Sequence, residues 1–438
     1  MKTCARRVFW VGLAIYLALA GAASAQYEYI DIRNPSLKKI PIAIPVFRVS
    51  PGDPVMSLQS SDQVADYLDF TGFFKIMDRD MFLMDPKQPE TDRTSIQFSN
   101  WTTIGAELLV TGSIQVQQDL IDMELRLFDP FKGEMLIGKR YKGWKKDLPR
   151  MFRRFCSEII HLLTGSWGVF DSQIAFVSTG TGHKEVYTCD FDGSRPRRIT
   201  RFNSITLSPA WGMGGKWMAY TSYAKGRPDL YIRNLSGKRG TVLSKRGLNT
   251  TPAWVPGQFK LAATLSFTGD QDIYLLTGDG KIIKQLTKNW GIDTSPTWSP
   301  DGSRMAFVSN RSGNPQIYIL ETRSGRVNRL TYDGKYNTQP SWSPRGDKIC
   351  YSSIERGEIN IHVMDLKTRQ PARLTYNAGK NESPSWSPDG SLIAFSSTRE
   401  KGVSRIYVMT AYGTDQRRLI LMDGEQFTPS WSPNRAGD

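Results

Sequence analysis

The chain holds only three histidines, His161, His183 and His362, for acid–base or metal chemistry. No two share a spacing that would bring them to one helix face or one turn. His161 falls near the end of an expected helix, His183 in a turn and His362 in a strand, so surface or packing roles are expected. Other catalytic signatures are missing too. There is no Gly-x-Ser-x-Gly elbow, no His-Glu-x-x-His pair, and no glycine-rich loop leading from a strand into a helix. Gly180 to Glu185, "GTGHKE", reads as a strand–strand turn. Asp190-x-Asp192-Gly193 and the Asp-Gly pairs at 301–302 and 389–390 look like fragments of calcium loops. The later acidic ligands of such loops are absent, and a tight turn asks for the same residues. Cys156, Cys189 and Cys350 are widely spaced and suit core packing. The reading is of a protein that is not an enzyme, with no metal and no cofactor.

The first residues have another purpose. Lys2, Arg6 and Arg7 precede an apolar run, Val8 to Ala20, and the small-x-small stretch Ala23-Ser24-Ala25. This pattern predicts a secretory leader over 1–25, cleaved between Ala25 and Gln26. No Leu-x-x-Cys lipid signal precedes the cut. The leader takes three positive charges, so the formal +15 becomes +12. Residues 26–166 carry 18 Lys+Arg against 19 Asp+Glu, whereas residues 167–438 carry 36 against 23. A basic domain often meets nucleic acid, but export argues for acidic proteins or anionic envelope surfaces.

A repeat organises the basic part. The tryptophans of Pro-x-Trp, at 211, 254, 298, 342, 386 and 431, recur every 43 to 45 residues. That period indicates propeller blades of four antiparallel strands. Each unit has a Pro-x-Trp strand, a turn such as Ser299-Pro300-Asp301-Gly302, a second strand such as "MAFVS", a third with tyrosine such as "IYIL", and a short basic fourth such as "NRLT". The first unit lacks its Pro-x-Trp strand, and the last stops after "PSWSP". The two fragments make one blade, with the C-terminal strand expected to pair with residues 173–178 and close the ring. The tryptophans are expected to pack between blades.

Residues 40–165 lack the repeat. Ile40, Ile42, Ile44 and Val46 alternate as one strand. Ser60-x-x-Gln63 is a capping box ahead of a helix, and a short helix is expected over 100–107. "LLVTGSIQV", residues 121–127 and "EMLIGKRY" read as strands, the last two joined by a turn over 129–133. Asp147 caps a helix with Phe152, Phe155, Ile159 and Leu163 on one face. The fold class is therefore mainly β: a small α/β domain with a mixed sheet over 40–165, then a six-bladed β-propeller over 166–438. Gly165 to Gly168 is the expected linker. Residues 26–39 alternate weakly and are expected to be either a frayed terminus or a flexible partner-binding segment.

With chemistry excluded, surface remains. The residues entering each first strand should converge on the channel mouth: Asn249 and Thr250, Asp293 and Thr294, Asn337 and Thr338, Asn381 and Glu382, Gln426 and Phe427, with Thr206 to Ser208 irregular. Small polar groups with one aromatic suit a protein-binding face.

The order of parts is similar to the TolB family, the periplasmic component of the Tol–Pal system. The likeness rests on the exported start, "YEYIDIRNPSLKKIPIAIPVF", the α/β domain and six "PxWSPDG…IAFxS…IY" units. It implies a monomeric, non-enzymatic periplasmic scaffold serving outer-membrane integrity and envelope constriction at division. The mouth residues become candidates for binding the lipoprotein Pal, strongest at Asn249, Thr294, Thr338 and Glu382. Tyr27, Glu28, Tyr29, Ile30, Asp31, Ile32 and Arg33 become candidates for binding the inner-membrane protein TolA. Other outer-membrane proteins are further partners, and nucleic acid is not one. The alternative is a peptidase-like or glycan-binding propeller. The first lacks a hydrolase domain; the second wants aromatics at the mouth, where Phe427 alone is seen. The motifs do not explain the basic propeller.

Overall fold

In a computed structural model, residues 39–83, 94–212, 214–237 and 239–434 are described. The leader, its cleavage site and the Tyr27 to Arg33 segment lie outside them.

The α/β domain is a six-stranded mixed sheet. Its strands are β1 (Ile40–Ala43), β2 (Arg48–Ser50), β3 (Phe74–Ile76), β4 (Leu108–Gln117), β5 (Leu120–Asp129) and β6 (Glu134–Trp144), in the order β3-β1-β4-β5-β6. β2 also pairs with β4, farther along it. The expected strand through Val46 is broken. Pro45 lacks an N–H, pairing stops after Ala43, and the buried register passes from Ile44 to Phe47.

Three helices cover the sheet: α1 (Pro54–Phe70), α2 (Phe98–Thr103) and α3 (Leu148–Thr164). The Ser60 capping box is not the start of α1. Asp53 is the cap, its Oδ1 accepting from Met56 N at 3.0 Å, and Ser60 is buried inside the helix. α2 begins at Phe98 rather than residue 100. Asp147 precedes α3, but its carboxylate turns back to accept from Trp144 N at 3.2 Å. Phe152, Phe155 and Ile159 are buried on α3 as the spacing predicts.

The rest is six four-stranded sheets. Blade 1 holds residues 173–178, 185–190 and 197–198; its first strand is Gln426–Trp431. Blades 2 to 6 begin at Thr206, Asn249, Asp293, Tyr336 and Asn381. The six first strands touch in a closed ring about the axis. At the closure, Phe427 lies opposite Val177 and Trp431 opposite Ile174. The Trp431 indole donates to Ser172 Oγ at 2.7 Å, and Asn434 Nδ2 to Gly168 O at 2.9 Å. Gly424 (φ +74°) permits the fit, since a Cβ there would meet the Gly180 backbone at 2.3 Å.

Each tryptophan fills an interface between its own blade and the preceding one, and all six are 6–8 % exposed. Trp298 packs with Ala262 and Ile273 of blade 3 and Met305 and Phe307 of blade 4. Trp211, Trp298 and Trp386 also donate to carbonyls of the preceding blade at 2.9–3.1 Å. Burying rings of this size supplies a large share of the inter-blade energy.

The α/β domain and propeller share one core. Tyr67, Phe70, Phe155 and Phe170 join Phe191, Ile406, Leu419 and Trp431 in a single cluster. Around it, Arg153 pairs with Asp190 at 3.1 Å and Lys39 with Asp415 at 2.8 Å. The Arg417 guanidinium lies 4.6 Å from the Phe70 ring centroid and donates to Phe70 O. The segment over 165–168 is pinned too: Trp167 stacks on His161 at 4.0 Å.

Candidate functional site

The mouth of the propeller is built by a repeated irregularity. Counting blade 5 from Asn337, every first strand shifts register against its second strand between its second and fifth residues, for example between Thr294 and Thr297. The third residue takes a left-handed conformation: Ser208, Thr251, Ser295, Gln339, Ser383 and Thr428, with φ between 44° and 55°. The fourth is the proline of Pro-x-Trp, which has no N–H to leave unpaired. Such backbone costs about 1–3 kcal/mol per residue and needs support. The support crosses the blade interface. Ser295 N donates to Thr251 Oγ1 at 3.3 Å, Ser383 N to Gln339 Oε1 at 2.9 Å, and Thr428 N to Ser396 Oγ at 3.0 Å. These bulges make the channel wall a stitched ring.

The predicted site residues divide at this ring. They lie within the first strands rather than in loops leading to them. Asn249, Asp293, Asn337, Asn381 and Gln426 are fully buried. Asn249 Nδ2 donates to Lys245 O at 2.9 Å and Pro228 O at 3.1 Å. Asn337 Nδ2 donates to Gln316 Oε1 at 2.7 Å, Asn381 Oδ1 accepts from Ser397 Oγ at 2.8 Å, and Gln426 Nε2 donates to Met422 O at 3.2 Å. These five side chains tie the blade ends and offer no contact surface. Thr250, Thr294, Thr338, Glu382 and Phe427, with Leu207, are half-buried. Lys184 Nζ sits 5.2 Å from the Phe427 ring centroid.

The buried polar row carries charge. Asp293 accepts from Arg311 Nη2 at 2.8 Å, and Glu185 from Arg198 Nη2 at 3.0 Å; both acids are fully buried. Asp272 accepts from Gln285 Nε2 at 3.0 Å. Burial, then nearby Asp293, holds its carboxyl above the usual range. The arginine of four fourth strands, in "RIT", "RLT" twice and "RLI", is structural. The Nε of Arg198, Arg329, Arg373 and Arg418 donates to a carbonyl two residues on at 2.7–3.0 Å. Part of the propeller's basic charge is thus fastening for the fourth strands.

The acid–base candidates stay apart, on α3, in an exposed turn of blade 1 and on blade 5. His362 is buried opposite Tyr351 and Arg373, with Glu355 Oε1 at 3.9 Å. Burial lowers its pKa, opposed by Glu355 and reinforced by Arg373. The folded state therefore keeps the imidazole neutral below the ordinary value of 6.5, where the unfolded chain takes a proton. Stability is full above that pH and falls as pH drops below it. A thermal melt series should show wild type losing Tm relative to His362→Gln below about pH 6.5; parallel curves would contradict this. Asp301 and Asp389 accept from the hydroxyls and N–H groups of their own turns, and these bonds hold Asp301 at about 2. Among the described residues, no three His, Cys, Asp or Glu side chains gather as a metal site.

Comparison with known proteins decides the family. Residues 28–136 match the TolB amino-terminal domain, and residues 160–435 the TolB beta propeller domain. The chain belongs to the TolB family. The Tol-Pal system protein TolB of Desulfosudis oleivorans is 57 % identical over 282 residues, which cover 64 % of each chain. The TolB homolog of Chlorobium chlorochromatii is 42 % identical over 273 residues, 61 % of this chain and 60 % of that one. The matched stretches thus span less than two-thirds of these relatives. The crystal structure of TolB from Acinetobacter baumannii is similar over 91 % of this chain and 97 % of its own, with TM-score 0.80 and 27 % identity. The TolB fold, six blades behind an α/β domain, is shared. The signal that sequence reading passed over lies beside the mouth. Tyr332 and Tyr376 each follow an "RLT" strand and are 67 % and 61 % exposed, and Trp290 is 73 % exposed.

Proposed function

We propose that this chain is a non-catalytic periplasmic scaffold of the Tol–Pal system. Its mature form begins at Gln26. Residues 26–39 are the partner-binding segment, 40–165 the α/β domain and 166–438 the propeller. The mouth binds Pal through the half-buried second residues of the first strands, Thr250, Thr294, Thr338, Glu382 and Phe427. The N-terminal segment, Tyr27 to Arg33, binds TolA.

The bulged ring carries this reading. Three of its six left-handed residues spend their backbone N–H on the neighbouring blade, and its deeper polar side chains are spent on the blade ends, as described above. What faces outward is a preformed surface of small polar groups, which suits docking with little rearrangement. Family membership supports the same reading, because the Desulfosudis oleivorans relative carries Tol–Pal in its name. Among the described residues no helix is long and apolar enough to cross a membrane.

The test is a pull-down from envelope extract with the mature protein. Recovery of Pal is expected; retention of sugars alone, or of no protein, would sink the proposal. Deleting residues 26–33 should lose TolA and keep Pal. Loss of both, with an unchanged melt, would contradict the division of labour.

A further inference from the structure

Six junctions lead from a fourth strand to the next first strand, and all open on the mouth face. Three in succession expose a large ring: Trp290 between blades 3 and 4, Tyr332 between 4 and 5, and Tyr376 between 5 and 6. Tyr332 and Tyr376 stand at matching places, directly after Thr331 and Thr375, and Trp290 stands two residues farther along its own junction; packing inside the blades does not account for exposed rings on three consecutive junctions. Two of the rings are held in place. The Arg329 guanidinium lies 4.7 Å from the Tyr332 centroid, and that of Arg373 4.7 Å from Tyr376. Both arginines are fixed by their Nε bonds to Thr331 O and Thr375 O. The Tyr376 hydroxyl donates to Arg373 O at 2.8 Å. Rings ordered before contact lose little entropy on binding.

Charge accompanies the rings. Lys288, Lys335 and Lys380 are exposed on the same three junctions, Lys245 and Arg246 on the one before, and Arg201 on the first. The Tyr332 junction also exposes Asp333, and the sixth reverses sign, with exposed Asp423 and half-buried Glu425. Resting on the mouth-binding reading above, we infer that the partner presents an acidic protein surface with an apolar centre. Trp290, Tyr332 and Tyr376 anchor it, and Lys288, Lys335 and Lys380 steer it. Exposed rings beside basic groups match the usual composition of interface anchors, and like charge would repel a basic partner. A protein fits better than a glycan, because a guanidinium already occupies one face of each tyrosine.

Two triple variants and purified Pal test this. One is Trp290→Ala, Tyr332→Ala, Tyr376→Ala; the other is Lys288→Gln, Lys335→Gln, Lys380→Gln. Kd is measured at about 50 and about 300 mM salt, where screening differs more than twofold. The ring variant should bind about 100-fold more weakly or worse. The lysine variant should weaken at low salt and lose most of the salt dependence. The pair Tyr332→Phe, Tyr376→Phe should bind like wild type. If the ring variant melts early, the lysine variant decides. Wild-type binding that neither triple variant changes would overturn this inference and leave the mouth reading standing. Failure of the wild type to bind Pal would overturn both. Loss of peptidoglycan sedimentation with Pal binding intact would make the arc a glycan surface and overturn the inference.

Discussion

Removing Thr428 onward should destabilise the whole ring, not one edge. Trp431 leaves the cluster it shares with blade 6, blade 1 and the α/β domain, and the pairing with Ala175 and Ile174 is lost. Losing a buried tryptophan alone costs about 3–5 kcal/mol, and the strand takes its hydrogen bonds with it. A native domain has about 5–15 kcal/mol in total. The truncated protein should melt at least about 10 °C lower, with both domains unfolding together because they share a core. An unchanged transition, or a loss confined to a small separate step, would contradict the closed ring.

Arg311→Ala should cost about 3–5 kcal/mol, because it strands the fully buried Asp293 carboxylate. Nearby Asp272 adds a second acid whose carboxyl is already held high by burial and by Asp293. Arg311 also lies 5.0 Å from the Tyr318 ring centroid, so some packing goes with the charge. Asp293→Asn should cost less, about 1–2 kcal/mol, since the Arg311 cation it leaves without a counter-ion is partly exposed and keeps an amide oxygen as acceptor. Denaturant unfolding of both variants checks the order. The result also bears on the site: Asp293 should affect stability and leave a mouth partner's Kd nearly unchanged. A larger loss for Asp293→Asn than for Arg311→Ala would reverse the assignment.

The blade count and closure could be read from sequence because the Pro-x-Trp period is strict and the two broken units are complementary. The tryptophan is locked in register by its interface, so even the altered units around Trp211 and Trp254 keep it. Which of the mouth residues are buried was not legible. Asn249, Asp293, Asn337, Asn381 and Gln426 look like surface residues by polarity, but blade ends bury a polar row and satisfy it internally. Conversely, Tyr332 and Tyr376 look like strand residues after "RLT", and only the geometry turns them outward. Ser60 misled for a related reason: a serine on the buried face of α1 bonds within the helix or packs, and the capping pattern does not distinguish that from a start. Val46 failed because alternation cannot see a proline interrupting pairing inside a run of isoleucines.

The most direct test is a hydrogen-exchange footprint of the mature protein with and without purified Pal. Protection should concentrate on one face, in the junctions over 201–205, 244–248, 287–292, 332–336 and 376–380 and the adjoining first strands. Protection centred instead on the opposite turns, such as Ser299 to Arg304 and Ser387 to Leu392, or none anywhere, would contradict a mouth-binding scaffold.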